Sequence, residues 1–104
     1  MDKYDVIVET TAVSDLRDIY QYITETLKEP VVAKRIHESI KEKVYSLDQI
    51  PQRHPLVRDE ILAGRGLRWM PVENYSILYI IDEANYKVNV IRILYSRREL
   101  QNIL

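Results

Sequence analysis

The stretch that most constrains the fold is Asn74 to Leu100, NYSILYIIDEANYKVNVIRILYSRREL, which reads as two strands, a turn and a terminal cluster of arginines. Tyr75, Ile77, Tyr79 and Ile81 alternate with Ser76, Leu78, Ile80 and Asp82. Both registers are rich in β-branched or aromatic side chains over a strand's length, which predicts a strand buried on much of both faces. Asp82 to Asn85 then supplies turn chemistry, because Asp and Asn bond their own backbone and tolerate tight dihedrals. A hairpin follows. Strict alternation places Tyr86, Val88, Val90, Arg92 and Leu94 on one side of the returning strand, and Lys87, Asn89, Ile91, Ile93 and Tyr95 on the other. One face is expected to carry a core and the other a partly covered surface with functional groups.

At Tyr95-Ser96-Arg97-Arg98-Glu99 the apolar run stops, placing a phenol, a hydroxyl and two guanidiniums at the strand's end. Arginine presents a planar fork of donors that fits phosphate oxygens, and a strand holds that fork in place. The same residues also suit a solvated strand end with ordinary ion pairs.

The first half must cover this hairpin. Tyr4 to Glu9 alternates as a first strand, and Thr10 or Thr11 is expected to cap the helix that follows. Val13, Leu16, Ile19 or Tyr20, Ile23 and Leu27 recur at helical steps on one stripe. Pro30 fits a first helical turn, where its missing N–H would be unpaired anyway, so the chain breaks near Lys28 to Glu29 and restarts. Val32, Ile36, Ile40, Val44 and Leu47 form the stripe of a second helix that Pro51 ends. Pro51 to Gly66 has no regular period and is longer than most connections. Leu67 to Val72 then reads as a strand with Arg68 and Met70 on one face, Leu67 and Trp69 on the other. Pro71 cannot donate to a ladder, so this strand is expected at an edge or bulge.

The 104 residues, 46% of them apolar, suit one domain spanning 1–104. The absence of cysteine excludes disulfides and thiolate metal sites. No apolar run approaches membrane-spanning length, and MDKYDVIVET is too poor in consecutive apolar residues for a signal peptide, so a cytoplasmic location is the expectation. A net charge of −1 means that any polyanion binding rests on local clusters. His37 and His54 lack a metal-ligand spacing, and no phosphate-cradling glycine loop occurs, so neither metal nor nucleotide cofactor is expected. What remains is the arginine and tyrosine set Arg65, Arg68, Tyr75, Arg92, Tyr95, Arg97 and Arg98.

Leu67-Arg68 ahead of Asn74-Tyr75, then Tyr79, then Ile91-Arg92-Ile93-Leu94-Tyr95 followed by Arg97-Arg98-Glu99, resembles the RelE/ParE superfamily of bacterial toxins over nearly the whole chain. The resemblance implies an α+β domain, β-α-α-β-β-β, with a helix hairpin packed on a small antiparallel sheet. It implies a type II toxin silenced by a cognate antitoxin that would cover the exposed edge at Leu67 to Val72. RelE-like members cut mRNA on the ribosome, whereas ParE-like members inhibit DNA gyrase without being nucleases. Cleavage by 2′-hydroxyl attack needs a proton acceptor, a proton donor and cations on the phosphorane. The resemblance carries these roles to Arg98, Tyr95 and Arg68, with Arg65, Arg92 and Arg97 as substrate-binding candidates. Ser76 stands where many active nucleases have arginine. On this reading ribosome-dependent mRNA cleavage comes first and gyrase inhibition second.

Overall fold

The expected element order is present in a computed structural model that describes residues 3–95. β1 (Asp5–Val8) leads into α1 (Thr10–Gln21), and α2 (Pro30–Tyr45) follows. β2 (Leu67–Val72), β3 (Tyr75–Asp82) and β4 (Lys87–Leu94) complete the sheet, and a short helix α3 (Glu60–Gly64) lies in the connection before β2.

Pro30 sits in the first turn of α2 as expected, and the break before it is made by Lys28 in a left-handed conformation, φ 58°. The first helix departs from expectation at both ends. Its cap position is Glu9, and the Thr11 hydroxyl donates to the Ile91 carbonyl at 2.7 Å instead of capping. Beyond Gln21 the chain widens into a π-type turn, Tyr22–Thr26, in which the Leu27 N–H donates to the Tyr22 carbonyl at 3.0 Å. The core-facing stripe is Ala12, Leu16, Ile19 and Ile23, with Ala12 and Ile23 buried and Leu16 and Ile19 partly so, while Val13 and Leu27 are half-exposed. On α2, Ala33, Ile40 and Val44 are buried, followed by Leu47 just past its end. Each large side chain buried in this way stabilises the fold by about 1.5–3 kcal/mol.

The strand order is β1-β4-β3-β2. β2, β3 and β4 are antiparallel as expected, and β1 adds in parallel beside β4, so the sheet is mixed. The chain between β1 and β4 runs through the helices and through β2 and β3, long enough to bring β4 back in parallel, which a tight hairpin cannot do.

Leu78 pairs with Arg92 but Tyr79 pairs with Val90, leaving Ile91 as the extra residue of a β-bulge. The sides predicted by strict alternation therefore hold through Val90 and exchange afterwards. Val88, Val90 and Ile93 all join the helix-side core with Met70, Ile77 and Tyr79. Arg92 and Leu94 face the other way, and Leu94 packs with Val57, Leu67 and Leu78 under the α3 segment.

β2 is the edge strand, but much of that edge is already occupied. The Val57 N–H donates to the Leu67 carbonyl and the Trp69 N–H to the Pro55 carbonyl, both at 3.0 Å. Pro71 is the next outward-pointing residue and has no N–H.

Candidate functional site

β1 stops at Val8, four residues before β4 ends at Leu94 in matched register, and α1 takes over its place along the β4 edge. The Glu9 N–H donates to the Val90 carbonyl at 3.0 Å, and the Thr11 hydroxyl follows at Ile91. One turn later Asp15 accepts the Ile93 N–H at 2.9 Å. The same carboxylate takes both Arg92 Nε at 2.7 Å and Arg92 Nη2 at 3.0 Å. Arg92, expected to bind substrate, is thus held in a two-pronged ion pair with a helix. Beyond it Tyr95 is half-exposed, with its ring 5.4 Å from that of buried Tyr75 at 62°. A groove of about 860 Å³ runs here between α1, the π-type turn and the end of β4. Asp15, Asp18, Arg92, Tyr22, Tyr75 and Tyr95 contribute to its lining along with apolar side chains such as Ile19, Ile23 and Leu27, giving it carboxylate and phenol groups beside the Arg92 guanidinium.

A second polar cluster pins residues 49–54 to the far end of the sheet. Arg68 stands opposite Tyr79, on the helix-side face, and its Nη1 donates to the His54 carbonyl at 2.7 Å and to the Gln52 carbonyl at 3.4 Å. The Tyr79 hydroxyl donates to the Pro51 carbonyl at 2.6 Å, and the His54 ring meets the Tyr79 ring edge-on at 6.5 Å. Gln52 Nε2 donates to Tyr4 at 2.9 Å and to Glu83 at 2.7 Å. Burial pushes the Tyr79 phenol up to about 12 against the opposing pull of Arg68 and Arg53. Burial also lowers His54, helped by the positive charges of Arg53 and Lys43.

Of the predicted arginines, the described Arg65, Arg68 and Arg92 are therefore not gathered into one patch. Arg68 and Arg92 lie on opposite faces of the sheet, and Arg65 is exposed at the end of α3. Arg97 and Arg98 lie outside the described residues, so Tyr95 is the last described member of the terminal cluster. Ser76 is buried and accepts the Trp69 indole N–H at 2.9 Å. Sequence reasoning passed over Asp15 as one of several helix charges; its signal was an acid flanking the apolar stripe formed by Ala12, Leu16 and Ile19. Among the described residues, no cluster of three or more His, Asp or Glu is placed to hold a metal ion. None of the described helices is long and apolar enough to cross a membrane.

This arrangement of a helix pair on a four-stranded mixed sheet is the fold of small bacterial toxins. The chain is similar to a chain of the chromosomal ParDE system of P. aeruginosa at TM-score 0.74 and 21% identity, covering 91% of this chain and 98% of that one. It is similar to one from the RelBE2 toxin–antitoxin complex of Mycobacterium tuberculosis at TM-score 0.69 and 25% identity, covering 91% and 93%. A mutant of the E. coli toxin RelE in the free state matches at TM-score 0.64 and 14% identity, covering 98% and 99%. No curated protein sequence matches significantly. Residues 6–100 match the family of ParE toxins of type II toxin–antitoxin systems, parDE, and the chain belongs to that family.

Proposed function

We propose that this toxin acts in the cytoplasm as a ParE-like inhibitor of DNA gyrase and is silenced by a cognate antitoxin. The observation that carries this reading is the placement of the described arginines. Arg68 donates to loop carbonyls and Arg92 to Asp15, on opposite faces of the sheet, so these two arginines do not converge on one phosphate. Buried Ser76, engaged by Trp69, stands where the resemblance places arginine in many active nucleases of the superfamily. This proposal puts gyrase inhibition ahead of mRNA cleavage, the opposite of the order favoured by sequence alone. Tyr95, Arg97 and Arg98 are the residues proposed to touch the target, with Arg65 as an exposed auxiliary cation. The antitoxin rests on family membership and on the ParDE and RelBE2 assemblies from which similar chains come.

The test runs two purified reactions side by side. Loss of gyrase supercoiling with intact message in a translation system is the expected result. Cleavage of message within the ribosomal A-site codon, with gyrase unaffected, would reverse the assignment. In that case loss of cutting in Arg98→Ala and Tyr95→Phe would place the chemistry at the end of β4.

A further inference from the structure

Asp15, Asp18 and Tyr22 follow one another at three- and four-residue steps, so they share one side of α1 and its π-type continuation, the side that lines the groove beside β4. The two carboxylates differ in what they hold. Asp15 is engaged by the Arg92 guanidinium and the Ile93 N–H. Asp18 is exposed, and among the described residues its carboxylate has no hydrogen bond or ion pair, nor has the Tyr22 hydroxyl. Three phenol rings stand around them. Tyr75 is buried and meets Tyr95 at 5.4 Å and 62°, which braces the Tyr95 ring, while Tyr95 and Tyr22 are 52% and 56% exposed. Aromatic faces are electron-rich, so rings and carboxylates together outweigh the single guanidinium of Arg92, which is already paired. The groove repels phosphate and attracts a cation.

We propose that this groove receives the guanidinium of an arginine side chain presented by another protein, with its fork on the Asp18 carboxylate and its plane against the exposed tyrosine rings. A planar guanidinium stacks on an aromatic face while its edge still donates to a carboxylate, whereas the ammonium of lysine is a compact, strongly hydrated point charge with neither plane nor fork. Ile19 and Ile23 offer apolar surface to the aliphatic stem. At about 860 Å³ the groove is of a size that holds a whole side chain with its flanking backbone. The arginine comes from another molecule because the described part of this chain supplies no cation to Asp18. The groove has this chemistry whichever target the toxin engages.

The test is a titration of the full chain with N-acetyl-arginine amide, which carries one guanidinium and no other charge, followed by NMR at the side chains of Tyr22, Tyr75 and Tyr95. N-acetyl-citrulline amide has nearly the same shape without the charge, and N-acetyl-lysine amide has the charge without the plane. The arginine amide should bind saturably at about 1–10 mM, and about threefold or more tighter than either control. Asp18→Asn keeps the shape of the side chain and should weaken binding about three- to fivefold. Tyr22→Phe keeps the ring face and should bind as the native protein does, whereas Tyr22→Ala should lose about two- to fivefold. Asp18→Asn and Tyr22→Phe should melt within about 3 °C of the native protein, since neither removes a contact among the described residues. Equal binding by either control, full affinity in Asp18→Asn, or shifts centred away from the groove would overturn the proposal. A gain of about fivefold or more in the double variant Arg97→Ala with Arg98→Ala would assign the groove to the chain's own arginines and would overturn it equally.

Discussion

Asp15→Ala should loosen the end of β4 more than any other single truncation on α1. The carboxylate accepts three hydrogen bonds, from Arg92 Nε, Arg92 Nη2 and the Ile93 N–H. Its side chain is 16% exposed against 38% for Arg92, so solvent screens one partner of the ion pair more than the other. The charged pair is accordingly discounted to the surface range of about 0.5–1 kcal/mol. The Ile93 N–H loses a charged acceptor, which costs about 1.5–2 kcal/mol. Together these give a loss of about 2–3 kcal/mol, a large share of a typical domain's 5–15 kcal/mol or so. For a domain of this size that lowers Tm by about 10–20 °C. Asp15→Asn keeps an oxygen for the Ile93 N–H and should lose about half as much. Thermal and urea melts followed by circular dichroism read both variants, and a double-mutant cycle with Arg92→Ala isolates the ion pair. A Tm drop below about 3 °C for Asp15→Ala would refute the argument that this carboxylate secures the strand end.

Tyr79→Phe leaves the Pro51 carbonyl without its buried donor and should cost about 1–2 kcal/mol in urea melts. The folded phenol, at about 12, lies above its ordinary 10.0, so the folded state holds the proton more tightly; its contribution is complete below pH 10 and declines as pH rises toward 12. Tyr79→Phe should flatten that alkaline decline. His54 has the opposite sense, a lowered folded value, so the unfolded chain takes up the proton first. Its contribution is present above pH 6.5 and falls as the solution is acidified below that, and His54→Gln should flatten this part of the pH–stability curve. Ser76→Ala removes the acceptor of the Trp69 indole N–H and should cost about 1 kcal/mol, with a shift in tryptophan emission reporting the change.

Much of this architecture is legible in the residues. The break at Pro30, the Asp82–Asn85 turn and the doubly buried β3 all follow from local chemistry that tertiary packing did not override. What escaped was set by contacts between distant segments. Thr11 read as a possible cap and Asp15 gave no signal of its own, because their acceptor and donors lie on β4, about eighty residues away in the chain. Ala12 was passed over for Val13 because a small residue gives no periodic signal, though it is the one fully buried on α1. The loop after Pro51 has no period because its order comes from Arg68, Tyr79 and Gln52 bonding its backbone and side chains, not from an amphipathic face. For the site, the sequence located the residue types, but only the register shows that Arg68 and Arg92 face apart.

The extra residue in β4 makes this strand unequal in its tolerance of length change. Removing Ile91 would restore plain pairing of Val90 and Arg92 with Tyr79 and Leu78, and Arg92, Ile93 and Leu94 would keep the faces they now have. Adding one more residue at the same place would shift the pairing of every residue after it: with the bulge kept, the Arg92 guanidinium is driven beneath the helices, and with the bulge absorbed the faces hold but Ile93 slides two positions along β3, away from Ile77. Natural variation in this segment should therefore be one-sided, with shortening by one residue admissible and lengthening by one selected against.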